Sequence, residues 1–481
     1  MANAGGKFSA KQFTVAMGRV NIPLVIGFAL CQLWVTLCFF TPQLFPGNPG
    51  SNVYGLSLAV TALVSIGAML RHHRFDVLLK KPAMVYGIAA SAAVGTLLIP
   101  LVSGTGPWFL ALTITAAVLT GLASSLFFMA WYQKFTEAGS AVDCVLSITT
   151  YSVFLYVLTR LLHAPAMSPW ITLALTAATP LCAALILNRR MPPARPFPSL
   201  AVPTNVTSLN RFIVKFCFGL FATSFVSEFL RSYLLERNDL NYYSSEINLL
   251  ILLFKIGCSV GIIIIVQTRR TNDFSFLYRT SFLLIMLSAL LLPHIPRQEF
   301  LYAFTNAGAF LFKLVIMLIA LELCQRFKAS PSLVFGATRA AWSLDLLLGS
   351  SLFAVYQQFS GTYPQLLQTI SLFLVVVVVV AFLFVFTERD RTSILSPQED
   401  AETTSTQSRC EAIALHFDLS ERETEVLHLV AKGRSTPRIQ EELHISAHTV
   451  NSHIQHVYQK LKVHSRQEIL DVVDAWQKKS D

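Results

Sequence analysis

The sequence predicts an all-α protein: a polytopic membrane helical bundle of about twelve spans, laid out six and six, followed by a small four-helix domain. Three observations carry this. Of 481 residues, 54% are hydrophobic and only 13% charged, whereas a soluble chain averages about 45–50% apolar and about 25% charged. Twelve apolar runs approach the roughly 20 residues needed to cross a bilayer. After Phe386 the composition turns abruptly polar, and then amphipathic helical periodicity returns. Together these exclude a soluble enzyme, a disordered chain and a secreted disulfide scaffold. The net charge of +10 and pI of 9.2 leave three sources open: nucleic-acid binding, anionic lipid or basic loops.

The expected spans are 22–41, 54–70, 84–101, 107–130, 141–162, 168–187, 211–233, 246–267, 275–293, 300–323, 332–358 and 366–386. The first follows Lys7, Lys11 and Arg19, is too long for a signal core and precedes no small-residue cleavage site. It reads as an uncleaved anchor behind a cytoplasmic N-terminus of residues 1–21. With that end inside, the inner segments hold eighteen Lys and Arg, Arg339 among them, and the outer segments four. That bias places both termini on the cytoplasmic side, and the membrane is expected to be a bacterial inner membrane. Residues 188–210 are basic and rich in proline, which blocks helix continuation, and they divide the membrane domain (22–387) into halves 22–187 and 211–387. Seven of the eight cysteines lie in apolar stretches and no CxxC occurs, so they read as small apolar side chains.

This six-plus-six layout resembles the major facilitator superfamily, which implies two bundles alternating around a midplane site. That family's Gly/Asp/Arg-rich signature between spans two and three is not evident in RHHRFDVLLKK. Charges inside spans cost roughly 2.5–3.5 kcal/mol each and face a cavity or a partner. Lys255, Lys313 and Asp345 sit near mid-span in three different helices. Glu228 and Arg231 lie one turn apart towards the outer end of a fourth. Asp345 is expected to neutralise one lysine and leave the other for an anionic small molecule such as a carboxylate or phosphate. A structural ion pair with a snorkelling lysine is the competing reading. The aromatic residues read as packing.

Residues 388–410 are polar and Ser/Thr-rich, a flexible linker with an r.m.s. span on the order of 25 Å. In 411–481 helix punctuation resumes. Ser420 and Glu423 form a capping box ahead of Val426, Leu427, Leu429 and Val430, with Gly433 ending the helix. Thr436 is the expected N-cap with Pro437 at N1. Ser446 opens a helix striped by Val450, Ile454, Val457 and Leu461. Ser465 and Glu468 form a second capping box. Four short helices with a tight turn between the second and third make a helix-turn-helix domain.

The stretch from Leu419 to Arg466 resembles the LuxR-type DNA-binding domain. The resemblance rests on Leu419, Arg422, Glu423, Glu425, Val426, Leu427, Gly433, Ile439, Leu443, Ser446, Thr449, Val450, His453, Lys460, Leu461 and Arg466. It implies that the third helix enters the major groove of double-stranded promoter DNA, that the fourth supports a homodimer, and that RNA polymerase is a further partner. Carried over by motif, the groove-facing residues are those just after Thr449-Val450, namely Asn451, Ser452 and Gln455, and Thr449 is counted with them as a DNA-binding residue. The family often has lysine at Asn451 and alanine at Gln440. Asn and Gln pair bidentately with adenine, so readout leans towards A·T steps. Arg434, Arg438, Lys460 and Lys462 are candidate phosphate contacts, and His453 a packing or phosphate-contact residue. The histidines lack cysteines at zinc-finger spacing, so no metal site is expected.

No nucleotide-binding, zinc-protease or nucleophile-elbow motif occurs, so neither catalysis nor a cofactor is expected. The favoured reading is a one-component regulator whose membrane module senses a small molecule and controls the DNA-binding domain. The alternatives are a facilitator-type transporter with a regulatory tail and a plain membrane anchor, for which twelve spans are excessive. Residues from 388 onward hold twelve Lys and Arg against sixteen Asp and Glu. The excess positive charge therefore belongs to the membrane part.

Overall fold

The structure is a computed structural model. It describes residues 20–40, 45–46, 52–102, 104, 106–162, 168–189, 191, 206–237, 246–268, 275–295, 298–326, 328–385, 409–431, 433–443 and 445–475. The expected linker 388–410 and the Pro-rich connection therefore lie largely outside the described residues. The chain divides into two compact units, Met1–Asp390 and Arg391–Asp481. No strand occurs among the described residues.

The first unit holds α1 (Ile22–Phe40), α2 (Asn52–Leu70), a short α3 (His72–Leu78), α4 (Pro82–Leu98), α5 (Pro107–Ala138), α6 (Ala141–Leu162) and α7 (Pro169–Leu187). After the Pro-rich connection come α8 (Val206–Arg237), α9 (Glu246–Thr268), α10 (Ser275–Leu291), α11 (Gln298–Arg326), α12 (Pro331–Ser360) and α13 (Leu366–Val385). Twelve of these are long, and they coincide with the twelve expected spans. Eight are long and apolar enough to cross a membrane, and stretches of α9 and α10 are apolar but shorter. Two helices outrun their apolar runs: α5 continues to Ala138 and α8 starts at Val206. Backbone hydrogen bonding propagates cheaply beyond the bilayer-length segment once a helix is nucleated.

The packing shows an internal repeat. In the first half α1 packs on α6 and α7, α2 on α5, and α4 on α5 and α7. In the second half α8 packs on α12 and α13, α9 on α11, and α10 on α11 and α13. Numbered within each half, these are the same five pairings. The halves meet through α2 against α12 and α6 against α9, two contacts that exchange under the same correspondence. The pairings use small polar residues, as membrane helices must when apolar burial gives no preference for protein over lipid. Ser57 and Thr120 share a hydrogen bond at 2.8 Å, as do Ser65 and Ser125. Ser91 on α4 donates to the Leu119 carbonyl at 3.1 Å, and Ser281 on α10 donates to the Gly308 carbonyl at 2.7 Å. Those two bonds join corresponding helices of the two halves. At Gly349 a Cβ would meet the Phe225 carbonyl at 2.8 Å, so glycine permits the close approach of α12 to α8.

The second unit has α14 (residues 409–416), α15 (Glu421–Ala431), α16 (Thr436–Leu443), α17 (Ala447–Leu461) and α18 (Arg466–Ala475). The expected four helices are α15–α18, and α14 is additional. Its Cys410 and Ile413 are buried in one core with Val426, Leu427, Ile439, Val450, Val457 and Ile469. Gly433, at φ 74°, ends α15. Gly433 N donates to the Val430 carbonyl and Arg434 N to that of Leu429, a Schellman pair that needs the left-handed conformation. The α16 helix begins at Thr436, and Ile439 N bonds the Ser435 carbonyl. The cap is therefore one residue earlier than expected, and Pro437 follows Thr436 inside the first turn, where its missing N–H costs nothing.

Candidate functional site

The membrane unit holds a cavity of about 310 Å³ between its halves, lined by α1, α5, α6, α8, α9, α10, α11 and α12. This is within the range of small-molecule sites. Lys255, Lys313, Glu228 and Arg231 all line it. Lys313 donates to Gln32 Oε1 at 2.6 Å and lies 5.2 Å from the Tyr151 ring centre. Lys255 lies 5.6 Å from that of Phe310. Arg231 Nε bonds Glu228 Oε2 at 2.8 Å, its second nitrogen bonds the other carboxylate oxygen, and Phe40 stacks over the guanidinium. The expected one-turn pair is therefore formed.

Asp345 departs from expectation. It is fully buried, does not line the cavity and pairs with neither lysine. It lies on the side of α12 that faces α8, beside Ser224 and within electrostatic reach of Glu228 and Arg339. The reason is rotational: midspan depth is legible in a sequence, whereas the azimuth around the helix follows from packing.

Arg339 is a site residue that the sequence reading assigned to an inner connection. It sits inside α12, 7% exposed, and lines the cavity. The guanidinium is sandwiched between Phe128 at 4.2 Å and Trp342 at 4.1 Å and donates to Ser124 Oγ. Its Nε and Gln32 Nε2 are buried donors with no partner. Such groups cost about 1–3 kcal/mol each when left unmade, and an acceptor in the cavity would satisfy them. Tyr132 of α5 and Phe335 of α12, which also line the cavity, stack at 4.0 Å and 7° across the two halves.

Beyond that stack, two reciprocal caps lock the basic end. Asp76 of α3 accepts from Ser330 Oγ at 2.5 Å and Ser332 N at 3.0 Å, at the N-terminus of α12. From the other half, Gln325 Nε2 donates to the Gly139 carbonyl at 2.9 Å, and more weakly to those of Phe135 and Thr136, at the C-terminus of α5. Each half thus supplies the cap for a helix end of the other. The signal for Asp76 was a lone acid within a basic connection.

In the second unit, Ser446 caps α17, accepting from Thr449 N at 3.1 Å and sharing a hydrogen bond with Thr449 Oγ1 at 2.8 Å. Thr449 is therefore half-buried and engaged in the cap. Asn451, Ser452 and Gln455 are exposed on α17, and His453 is half-buried with an unpartnered Nδ1. The four cations differ. Arg438 pairs with Glu441 at 3.0 Å and Glu442 at 3.2 Å, and Arg434 with Glu442 at 3.5 Å. Lys460 donates to Glu423 Oε2 at 2.7 Å and the Asp418 carbonyl at 2.8 Å. Lys462 is exposed in the left-handed region at φ 56°, closing α17. Both capping boxes form: Ser420 N donates to Glu423 Oε2 at 2.8 Å, while at the second it is His464 N that donates to Glu468 Oε2 at 2.9 Å. Hydrogen bonds from His464 and Ser465 hold the Glu468 carboxyl below its usual range. No group of three metal-ligating side chains occurs among the described residues.

Residues 418–473 match the family model of bacterial regulatory proteins, luxR family. The chain is 43% identical over 53 residues to the oxygen regulatory protein NreC of Staphylococcus carnosus, covering 11% of this chain and 24% of that protein. It is 48% identical over 48 residues to the probable transcriptional regulatory protein NarL of Mycobacterium tuberculosis, covering 10% and 22%. The chain thus spans about a quarter of the length of the curated relatives it matches. Among solved structures it is similar to the human organic anion transporter MFSD10, with 16% identity and a TM-score of 0.48, over 76% of this chain and 99% of that one. The segment 418–473 is a LuxR-type DNA-binding region, as its motif implied, and it shares a chain with a helical membrane unit.

Proposed function

We propose that the chain is a membrane-embedded, one-component transcription regulator. An organic anion bound in the cavity biases the membrane unit between two states, and the helix-turn-helix region binds promoter DNA as a homodimer and contacts RNA polymerase. The observation that carries this reading is a cavity with unpaired cations in the same chain as a LuxR-type DNA-binding region. A ligand shifts such an equilibrium only through unequal affinity for its states, and groups reaching the cavity from both halves supply that inequality. On this reading both termini lie on the cytoplasmic side of a bacterial inner membrane, where the tail meets DNA. Asn451, Ser452 and Gln455 read bases, and Lys462 contacts phosphate, with Arg434 and Arg438 joining it if their carboxylate pairs exchange for phosphates.

Transcript profiling tests this with three strains: wild type, Asn451→Ala/Gln455→Ala and Lys313→Gln. Thr449 is left intact because it caps α17. The expected result is one gene set lost in the first variant and mis-set in the second. A Lys313→Gln profile identical to wild type would remove the sensing role. The repeated helix pairing favours a second reading, a transporter with a regulatory tail. Vesicle uptake of an organic anion that persists after removal of residues 388–481 would support it.

A further inference from the structure

The cavity's charges include one ion pair, Arg231 forked on Glu228. Arg339 is held between Phe128 and Trp342 and bonds Ser124. Lys255 and Lys313 are left. Among the described residues neither forms an ion pair, and each rests against an aromatic ring while lining the cavity. They lie close enough to repel one another. Unpaired charges at membrane depth are costly, and one negative charge would compensate only one of the two.

Their surroundings differ. Lys313 stands with Gln32, whose Nε2 is an unpartnered buried donor, and with Arg339. Lys255 stands where the cavity adjoins a small side pocket that also holds Asn248, Asn306, Ser152 and Thr159. The wall beside each lysine is aromatic, Tyr151 at Lys313 and Phe310 at Lys255. Resting on the ligand-sensing reading above, we propose that the cavity takes an organic dianion with a flat apolar body. One anionic group is held by Lys313, Gln32 and Arg339, and the other by Lys255 at the side pocket. A planar fork such as a carboxylate accepts from Gln32 Nε2 and Lys313 together and also balances the lysine's charge, which an uncharged or cationic ligand cannot do.

The test uses the full chain in lipid nanodiscs, with benzoate as the monoanion and terephthalate as the rigid dianion. Binding is read from Trp342 fluorescence, with Trp342→Phe as the blank, and from the thermal midpoint. Terephthalate is expected to bind at least tenfold more tightly than benzoate. Lys255→Gln and Lys313→Gln should each lower terephthalate to the benzoate level while benzoate binding survives at the remaining lysine, which also reports an intact fold. Where a variant loses both ligands, the Lys→Arg replacement should restore terephthalate. Equal affinity for the two acids, binding by neither, a terephthalate affinity indifferent to either lysine, or failure of that rescue overturns the proposal. Transcript profiles separate the two readings. If they follow Lys255 and Lys313 although no dianion binds, the ligand class falls and the regulator stands. If terephthalate binds as expected and transcripts stay unmoved, the regulator falls and the class stands.

Discussion

Glu423→Gln separates a structural cation from a DNA-contacting one. Burial raises the Glu423 carboxyl, but hydrogen bonds from Lys460 and Ser420 outweigh it and hold the group at about 2, against an ordinary 4.5. The folded value is depressed, so the associated stability is present above about pH 4.5 and is lost as pH falls towards 2. By linkage that interval corresponds to about 3 kcal/mol. The lysine end is 38% exposed, and solvent screening reduces the figure to on the order of 2 kcal/mol. Glutamine retains the capping box but not the charge, so the variant should lose roughly that amount at pH 7. In urea this is a midpoint shift of roughly 1–2 M for a unit of this size. The assay is urea unfolding of residues 391–481, which have their own core, at pH 7, 4.5 and 2.5. The difference between wild type and variant should stay nearly full from pH 7 to 4.5 and fall to roughly a quarter by pH 2.5. A difference as large at pH 2.5 as at pH 7, or none at pH 7, would refute the assignment of Lys460 to Glu423.

Three further outcomes are expected. Lys462→Gly relieves a left-handed residue and should stabilise the unit by about 1 kcal/mol. It should also flatten the salt dependence of DNA binding by about 0.9 in log–log slope if Lys462 meets a phosphate, and an unchanged slope removes that contact. Asp76→Asn weakens the charged cap on α12 by about 1 kcal/mol, so thiol labelling of buried Cys324 behind the lock should quicken about fivefold by peptide mass spectrometry. Gln455→Ala should cost about 1–3 kcal/mol on cognate DNA and relax discrimination at one A·T position. A uniform loss across sequences would instead make it a backbone contact.

Much of this architecture was legible because bilayer crossing imposes one coarse rule, a long apolar run, which eight of the described helices meet in full and two more in shorter stretches. The DNA-binding helices were legible through caps and spacing. What escaped depends on azimuth or on contacts between distant segments. Arg339 lies nine residues into α12, near enough to the expected span start to pass for a basic connection. Asp345 has the right depth but faces α8. The α14 helix carried a signal, apolar Cys410, Ile413, Ala414 and Phe417 at helical spacing, which the polar run before it masked. The interlocked caps of Asp76 and Gln325 join residues some 250 and 190 positions apart, a pairing that no local pattern records.

One element ties the ligand chemistry to the lock. A single continuous helix, α12, carries Ser330 and Ser332 under Asp76, then Phe335 in the stack, Arg339 in the cavity wall and Asp345 behind it. A helix transmits displacement along its axis because its backbone bonds all lie within it. On the proposed reading, an anion that draws Arg339 and Lys313 together acts on the same rigid body whose N-terminus the other half caps. Only a modest bias is needed at the DNA. The unit after residue 388 is net acidic, and three of its four candidate phosphate cations are engaged in internal pairs. A monomer with so few free cations holds nonspecific DNA weakly. On the proposed homodimer reading, occupancy then follows the two-fold pairing of half-sites roughly 34 Å apart, and a small shift in the dimer population changes it steeply.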